Sequence, residues 1–152
     1  MSASPVMAGN PWLVAGGILS GGAAVLHLAI IAGGPGWYRF FGAGEGMARM
    51  AEQGSFRPTL ITLGIALILV AWAAYAFAGA GLIRRLPLMR AALVAITAVY
   101  LLRGLILAPL LAFRPDKVDA FTLWSSLIVL AYGVTYALGT WQAWPALSEG
   151  RA

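Results

Sequence analysis

The chain lacks cysteine altogether and has a single histidine, His27, among its 152 residues. Without cysteine there can be no disulfide, thiol nucleophile or thiolate metal site. One histidine cannot provide a two-histidine metal site or bis-histidine haem. The sequence also contains no Walker loop, nucleophile elbow or zinc-protease helix motif. We therefore predict no metal site, no cofactor and no catalytic residues, which makes an enzyme the least favoured function.

Charged residues are scarce, at 10% of the chain, whereas hydrophobic residues make up 61%. Soluble domains carry about 25% charged residues, because their surface needs polar cover. The composition therefore predicts an integral membrane protein with lipid as its partner. The net charge of +5 could suggest nucleic acid, but the basic residues flank apolar runs. We attribute them to orientation in an anionic membrane and expect no nucleic-acid partner.

Four apolar runs are each close to the roughly 20 residues that cross a bilayer core as a helix. They cover residues 12–32, 59–79, 89–113 and 121–144. Lipid offers the backbone no hydrogen bonds, so each run must be helical. Because proline interrupts helices, we expect the fourth run to stop before Pro145. The sequence thus predicts an all-α, multi-pass transmembrane domain over residues 1–152.

The links between the runs differ in length. The second and third links are short, which favours antiparallel neighbours and an up-down-up-down four-helix bundle. The first link, residues 33–57, is long. In it, Glu45, Arg49 and Glu52 fall at i, i+4 and i+7, with Met47 and Met50 opposite. This pattern predicts a short amphipathic helix, either lying in the interface or folding back as a lid that aims Glu45 or Glu52 at the bundle.

Four crossings place both termini and the second link on one side, called here the terminal face. The first and third links lie on the opposite side, the first-loop face. Basic residues are almost evenly divided between the two faces: Arg84, Arg85, Arg90 and Arg151 against Arg39, Arg49, Arg57, Arg114 and Lys117. The close Arg84–Arg85 pair and the larger net charge of the terminal face favour termini in the cytoplasm.

Arg103 is the most informative residue, because it lies well inside the third run. A guanidinium there costs about 2.5–3.5 kcal/mol on insertion scales and cannot escape by deprotonation. It must find a carboxylate, backbone carbonyls, water or an anionic ligand. One hypothesis is an arginine that snorkels or braces the bundle through carbonyls and tyrosines. The other is a ligand or ion site, with Glu45 or Glu52 as an internal partner if the lid hypothesis holds.

Several polar and aromatic residues lie at the same end of the predicted bundle as Arg103. His27 sits near the end of the first run, where it can be a helix–helix hydrogen bonder or a proton carrier. Ser125 and Ser126 begin the fourth run, and Thr62 begins the second. As a ligand-site hypothesis we group Arg103, His27, Glu45, Trp37, Tyr38, Tyr100, Ser125 and Ser126.

The first run is rich in small residues. Gly17 and Gly21 form one small-xxx-small pair, while Gly16, Ser20 and Ala24 form a second stripe. Small residues let helix backbones approach closely, which serves packing within the bundle as well as oligomerisation.

Two segments resemble those of the small bacterial four-helix membrane proteins called DoxX-like. They are Leu26-His27-Leu28 near the end of the first run and Tyr38-Arg39-Phe40-Phe41-Gly42-Ala43-Gly44 after it. The resemblance also rests on length and on the four spans. It implies the architecture and a bacterial inner membrane, and it transfers no functional site.

Three functions remain open at this point. The first is a binding or accessory protein with an amphiphile pocket, for a lipid or quinone-like molecule, under the first loop. Arg103 would meet the head group there. The second is a channel or transporter that uses His27 and Arg103 and requires a homo-oligomer. The third is a structural subunit of a larger membrane complex, in which Arg103 meets an acid of a partner membrane protein.

Overall fold

The computed structural model describes residues 9–148, and all of its regular secondary structure is helical in this range. Within these residues seven α-helices follow one another, with a 3-10 turn at Pro115–Lys117. They are α1 (Pro11–Gly33), α2 (Pro35–Phe40), α3 (Glu45–Glu52), α4 (Arg57–Gly79), α5 (Met89–Leu105), α6 (Leu107–Phe113) and α7 (Ala120–Ser148).

Four helical spans are long and apolar enough to cross a membrane: α1, α4, α5 with α6, and α7. This confirms the predicted all-α transmembrane architecture. The spans carry large apolar side chains on their outer surface, including Ile18, Val25, Leu67 and Leu102, each more than 60% exposed. Such exposure would be costly in water and is neutral in lipid, so the protein is a multi-pass membrane protein.

The spans form an antiparallel bundle in which α1 pairs mainly with α4, and α5 mainly with α7, while α1 also contacts α7. Asn10 ties the terminal face together. Its Oδ1 accepts from the backbone N–H groups of Trp12 and Leu13 and so caps α1. Its Nδ2 donates to the carbonyl of Gly139 on α7, at 2.9 Å. The start of α1 therefore lies beside the last part of α7, as up-down-up-down topology requires.

The fourth span is longer than predicted, because Pro145 does not end it. The helix α7 continues to Ser148 with Pro145 inside it. Proline removes one backbone N–H, which leaves the carbonyl of Trp141 without its usual donor. Two side chains support the turn beyond: Ser148 Oγ donates to the Trp144 carbonyl at 2.7 Å, and Arg85 donates to the Ala146 carbonyl. The expectation of a stop before Pro145 was wrong.

The third span is interrupted at Ile106, between α5 and α6. Pro109 explains the break, since it has no N–H to offer the carbonyl of Leu105. Beyond the break, α6 packs against α7 but against neither α1 nor α4. The bundle is therefore less closed towards the first-loop face than towards the terminal face.

Helices α2 and α3 form a small unit called here the first-loop cap. It packs on the ends of α1 and α4, and neither of its helices packs on α5. Tyr38 and Ala48 are buried in it against Ile30 of α1. Because Met47 and Ala51 are partly buried beside Ala48 while Glu45 and Arg49 are exposed, α3 is the predicted amphipathic helix. Gly42, at φ +72°, receives the ring of Phe121, which connects the cap to the start of α7.

Glycines set the closest helix contacts. A Cβ on Gly104 would lie 2.6 Å from Leu130 Cα, and a Cβ on Gly133 would lie 2.9 Å from Leu101 N, so α5 and α7 touch through their backbones. Of the two stripes predicted on α1, that of Gly16, Ser20 and Ala24 is buried throughout. Gly21, in contrast, has open space beside it. The buried stripe serves packing within this bundle.

Candidate functional site

A chain of hydroxyl groups joins all four spans in the middle of the bundle. Ser20 Oγ on α1 lies 2.8 Å from Tyr100 Oη on α5 and 2.8 Å from Tyr136 Oη on α7. Tyr136 Oη in turn donates to the backbone carbonyl of Trp72 on α4, at 3.2 Å. Ser20 and Tyr136 are fully buried and Tyr100 nearly so. We call these groups the tyrosine network.

The donors in the tyrosine network can be assigned from its end. A carbonyl only accepts, so the single proton of the Tyr136 hydroxyl points at Trp72. Ser20 must then donate to Tyr136, and Tyr100 must donate to Ser20. All three hydroxyls therefore donate in the same direction, from Tyr100 to Trp72. Such a chain is polarised along its length, which strengthens each bond in a medium of low dielectric constant.

Aromatic rings surround the network. The ring of Tyr100 meets those of Trp72, Tyr132 and Tyr136, at centroid distances of 4.9, 5.4 and 5.4 Å. Trp72 and Tyr132 contribute edge-to-face contacts, an arrangement that aromatic rings prefer. Tyr100, grouped with Arg103 from the sequence, therefore belongs to a bracing network. Sequence reasoning overlooked this network, although the buried stripe through Gly16, Ser20 and Ala24 pointed to the face that carries it.

Arg103 lies just under one turn beyond Tyr100, towards the first-loop face. It is two turns from the buried Ile96, which places it on the side of α5 that faces the bundle. Its side chain is nonetheless exposed. The lack of packing between α6 and α4 accounts for this exposure, because no helix closes the space on that side.

One hydrogen bond holds the guanidinium of Arg103. Its Nη1 donates to Ser126 Oγ at 3.1 Å, and Ser126 is fully buried. The contact between Gly104 and Leu130 places the Cα of Arg103 about five residues from the level of Ser126, or about 7 Å along α7. The side chain therefore reaches towards the first-loop face, as a snorkelling arginine does. We call Arg103 and Ser126 the Arg103 site.

The acids of the described chain are all engaged away from Arg103. Glu45 and Glu52 both pair with Arg39, each at 2.8 Å, so the structure does not show the predicted lid contact with Arg103. Asp116 pairs with Arg114 at 3.3 Å. Asp119 accepts from the backbone N–H of Thr122 at 2.7 Å and so caps α7. Within residues 9–148, Arg103 is thus a membrane-embedded cation without a counter-charge.

The ion pairs of the first-loop cap have an electrostatic signature. Hydrogen bonds from Arg39 and Arg49 lower the pKa of Glu45 from 4.5 to about 2. The bond from Arg39 also lowers the pKa of Glu52 and raises the pKa of Arg39 itself. All these groups are solvent-exposed. Their charges therefore stay within the cap and are unavailable to the bundle interior.

His27 faces the bundle as well, two turns beyond Ser20 on the same side of α1. Its Nδ1 lies 2.7 Å from the Ala23 carbonyl, which can only accept, so Nδ1 carries a proton. The side chain is half-buried, and among the described residues no partner is seen for Nε2. In the neutral ring, Nε2 is an acceptor open to a ligand or to water. His27 and the Arg103 site thus share the first-loop half of the bundle.

The remaining predicted residues have local partners. Ser125 Oγ donates to the Thr122 carbonyl at 3.3 Å. Trp37 lies against Gly33 and near the ring of Phe41. The buried hydroxyl of Tyr38 accepts from Thr62 at 3.5 Å, which joins the first-loop cap to α4. These contacts stabilise the first-loop cap and the start of α7, and none of them involves Arg103.

Arg103 does not line any of the three best-defined clefts on the surface of the described chain. Two, of about 300 and 230 Å³, lie at the terminal face and share Arg85 and Leu147. The third, of about 160 Å³, is a shallow groove between Trp72 and Tyr75 of α4 and the facing side of α5. The enclosed pocket expected under the first loop is not among these three. Since the Arg103 side chain is exposed on the surface of its span, a ligand can reach it from the side.

The Arg103 site can supply a fixed positive charge, and the part of the chain that the structure describes engages only one of the five N–H donors. It can bind an anion, a carbonyl oxygen or a carboxylate, and it contains neither a nucleophile nor a general base in contact with the guanidinium. In the described residues no group of three or more histidine, aspartate or glutamate side chains is placed to hold a metal ion. No known protein family, curated protein or solved structure significantly matches this chain.

Proposed function

We propose that this membrane protein binds an amphiphile, a lipid or a quinone-like molecule, through its anionic or carbonyl head group at Arg103. The observation that carries the proposal is the state of that guanidinium. It is exposed inside a membrane span, holds one serine hydroxyl and has no carboxylate among the described residues. A charge in that setting costs several kcal/mol, so an occupant that neutralises it gains a large part of this energy.

The surroundings suit an amphiphile better than a small soluble anion. The exposed side chains next to Arg103 along the span are apolar, Leu102 at 70% and Leu105 at 52% exposed. An acyl or isoprenoid chain can lie along them while the head group meets Arg103 and Ser126. His27 Nε2 adds an acceptor for a hydroxyl on the same occupant. Trp37, Tyr38 and Glu45 would then act indirectly, by holding the first-loop cap beside the opening.

A second candidate rests on the same unneutralised charge. A carboxylate from a partner membrane protein would satisfy Arg103 equally well, which would make this chain a structural subunit of a larger complex. An oligomeric channel or transporter that uses His27 and Arg103 also remains a prediction.

We place the protein in a bacterial inner membrane with its termini in the cytoplasm, as the DoxX-like resemblance and the basic terminal face favour. Arg84, Arg85 and Arg90 lie on that face without an acidic neighbour in the described chain, whereas Arg39 and Arg114 on the opposite face are ion-paired. Because the chain has no cysteine, a single cysteine introduced at Ser55 reports orientation. Labelling by an impermeant reagent in intact cells is expected, and protection there would reverse the orientation.

The test of amphiphile binding uses the full chain, extracted in mild detergent and examined by native mass spectrometry and lipid extraction. We expect the wild-type protein to retain an acidic or carbonyl-bearing amphiphile. Arg103→Gln should lower its occupancy about tenfold, the effect of losing about 1.4 kcal/mol of charge-assisted hydrogen bonding. Arg103→Lys keeps the charge and should retain part of the binding.

The control is Arg57→Gln, which removes one exposed positive charge at the first-loop face and should leave occupancy unchanged. If the wild-type protein carries no amphiphile and Arg103→Gln leaves its thermal stability unchanged, the proposal is wrong. If instead a stoichiometric membrane protein co-purifies and Arg103→Gln releases it, the structural-subunit function replaces it.

A further inference from the structure

The terminal face carries a second cationic site, remote from Arg103. Its main cleft has a volume of about 300 Å³ and is lined by Arg85 and Arg90 and by the apolar residues Leu88, Met89 and Leu147. A smaller cleft of about 230 Å³ adjoins it and shares Arg85. We refer to the larger one as the terminal cleft. Within residues 9–148 every acid lies on the first-loop face, so nothing described here neutralises these arginines.

Both arginines are held in place by α7 with donors to spare. Arg90 stacks on Trp144, with its Cζ 4.0 Å from the ring centroid. Stacking occupies the face of the guanidinium and leaves its in-plane N–H groups free. Arg85 gives one Nη2 donor to the Ala146 carbonyl and keeps the rest. Two fixed cations with free donor edges at one cleft are what a phosphate group needs.

The depth of the terminal cleft points to a lipid phosphate. Trp124 and Trp144 lie 20 residues apart on α7, about 30 Å, which matches the thickness of a bilayer core and places each at an interface. Arg90 stacks on the second of these tryptophans, so the cleft lies where phospholipid phosphates lie. Leu88, which lines the cleft and is 80% exposed, supplies apolar surface there.

We propose that the terminal cleft binds the phosphate of an anionic phospholipid, with Arg85 and Arg90 as its ligands and the acyl chains on the neighbouring apolar surface. The site is independent of the amphiphile site at Arg103. General attraction of basic residues to an anionic surface depends on the number of charges and not on their position. A built site, in contrast, distinguishes Arg90 from Arg84, which precedes Arg85 in the loop between α4 and α5 and lines neither terminal-face cleft.

The test compares the full chain in detergent supplemented with phosphatidylcholine or with phosphatidylglycerol. Lipid retention in native mass spectra and the shift of the thermal midpoint are measured. We expect the wild-type protein to prefer phosphatidylglycerol about tenfold. Arg90→Gln should abolish most of this preference. The matched control Arg84→Gln, with the same change of net charge, should keep it within about twofold.

Three results would overturn the proposal. One is an equal loss in Arg84→Gln and Arg90→Gln, which would mean general charge attraction. Another is a thermal shift with inorganic phosphate alone as large as that with phosphatidylglycerol, which would mean a site for a soluble phosphate compound. The third is a wild-type protein with no preference between the lipids. This last comparison needs no variant. If Arg90→Gln fails to fold, Arg90→Lys replaces it, because lysine keeps the charge but loses the planar fork.

Discussion

The terminal half of the bundle, from the tyrosine network to Asn10, is closed, whereas the half beyond Tyr100 is open. In the terminal half, α1 and α7 meet through glycine at Gly139, where a Cβ would lie 2.9 Å from Leu13 N, and the hydroxyls of the tyrosine network connect all four spans. In the first-loop half, α6 packs only on α7 among the other spans, and a charged side chain remains exposed.

The two halves of the bundle use their polar groups differently. In the tyrosine network, which bounds the closed half, each hydroxyl donates to the next group and the last donates to the Trp72 carbonyl, so the network stabilises the bundle and has no donor proton left for a ligand. In the open half, Arg103 is a permanently charged residue within a span. Among residues 9–148 a single hydrogen bond, to Ser126, uses its donors. Proteins tolerate such an arrangement where the charge has an external partner.

The largest expected effect comes from filling the closest backbone contact. In Gly104→Ala the new Cβ would meet Leu130 Cα at 2.6 Å, so α5 must move away from α7. We expect a loss of about 1–3 kcal/mol in the free energy of unfolding, measured by denaturant titration in detergent. Gly22→Ala is the control, because no atom lies within 4 Å of its Cβ. Equal effects of the two substitutions would contradict the close backbone contact between α5 and α7 at this level.

A smaller effect is expected from opening the tyrosine network. Tyr136→Phe leaves the ring in place but removes the hydroxyl that accepts from Ser20 and donates to Trp72. Hydrogen bonds between membrane helices contribute about 0.6–1.7 kcal/mol, and we expect a loss of about 1 kcal/mol in the same titration. Tyr132→Phe, whose hydroxyl has no partner among the described residues, should have almost no effect. If the two variants are equally stable, the network does not brace the bundle.

The smallest effect concerns the first-loop cap and depends on pH. The pKa of Glu45 is lowered to about 2 by its bonds to Arg39 and Arg49. Its contribution to stability is therefore complete above its ordinary pKa of 4.5 and is lost as the pH falls from there towards about 2. Hydrogen exchange of α2 and α3 should accelerate over that range in the wild type and change less in Glu45→Gln. Asp116→Asn is the control and should behave as the wild type does. If Glu45→Gln shows the same acceleration as the wild type, the ion pairs of Glu45 do not stabilise the first-loop cap.

Much of the fold could be predicted because lipid imposes simple rules. An apolar run of sufficient length must be a helix, and this rule located all four spans. Pro145 escaped prediction, since a proline near a helix end is tolerated where side chains such as Ser148 and Arg85 satisfy the neighbouring carbonyls. The break at Ile106 is caused by Pro109, three residues later. A prediction from hydropathy misses this break, because hydropathy does not register the missing N–H of a proline.

The site was harder to predict, because it depends on the rotation of each helix about its axis. Depth along the membrane can be counted from the sequence, and counting placed Arg103 and Ser126 at one end. The rotation of α5 about its axis decides whether Tyr100 points towards Arg103 or towards Ser20. Hydropathy does not reveal this rotation, because every face of the helix is apolar. Glu45 pairs with Arg39 and not with Arg103 because of the way the first-loop cap folds. The sequence pattern alone does not show whether this local ion pair or the long-range one is favoured.

The length of α7 ties this protein to the thickness of its membrane. Its 29 residues make a rod of about 43 Å, whereas the hydrocarbon core is about 30 Å thick. An upright rod of that length must project into the head-group layer, and its last turn carries the carbonyl that holds Arg85. In a thicker bilayer the same turn would be drawn towards the acyl chains, together with the cationic groups attached to it. The depth of the terminal cleft in the membrane therefore depends on the thickness of the bilayer, through hydrophobic mismatch.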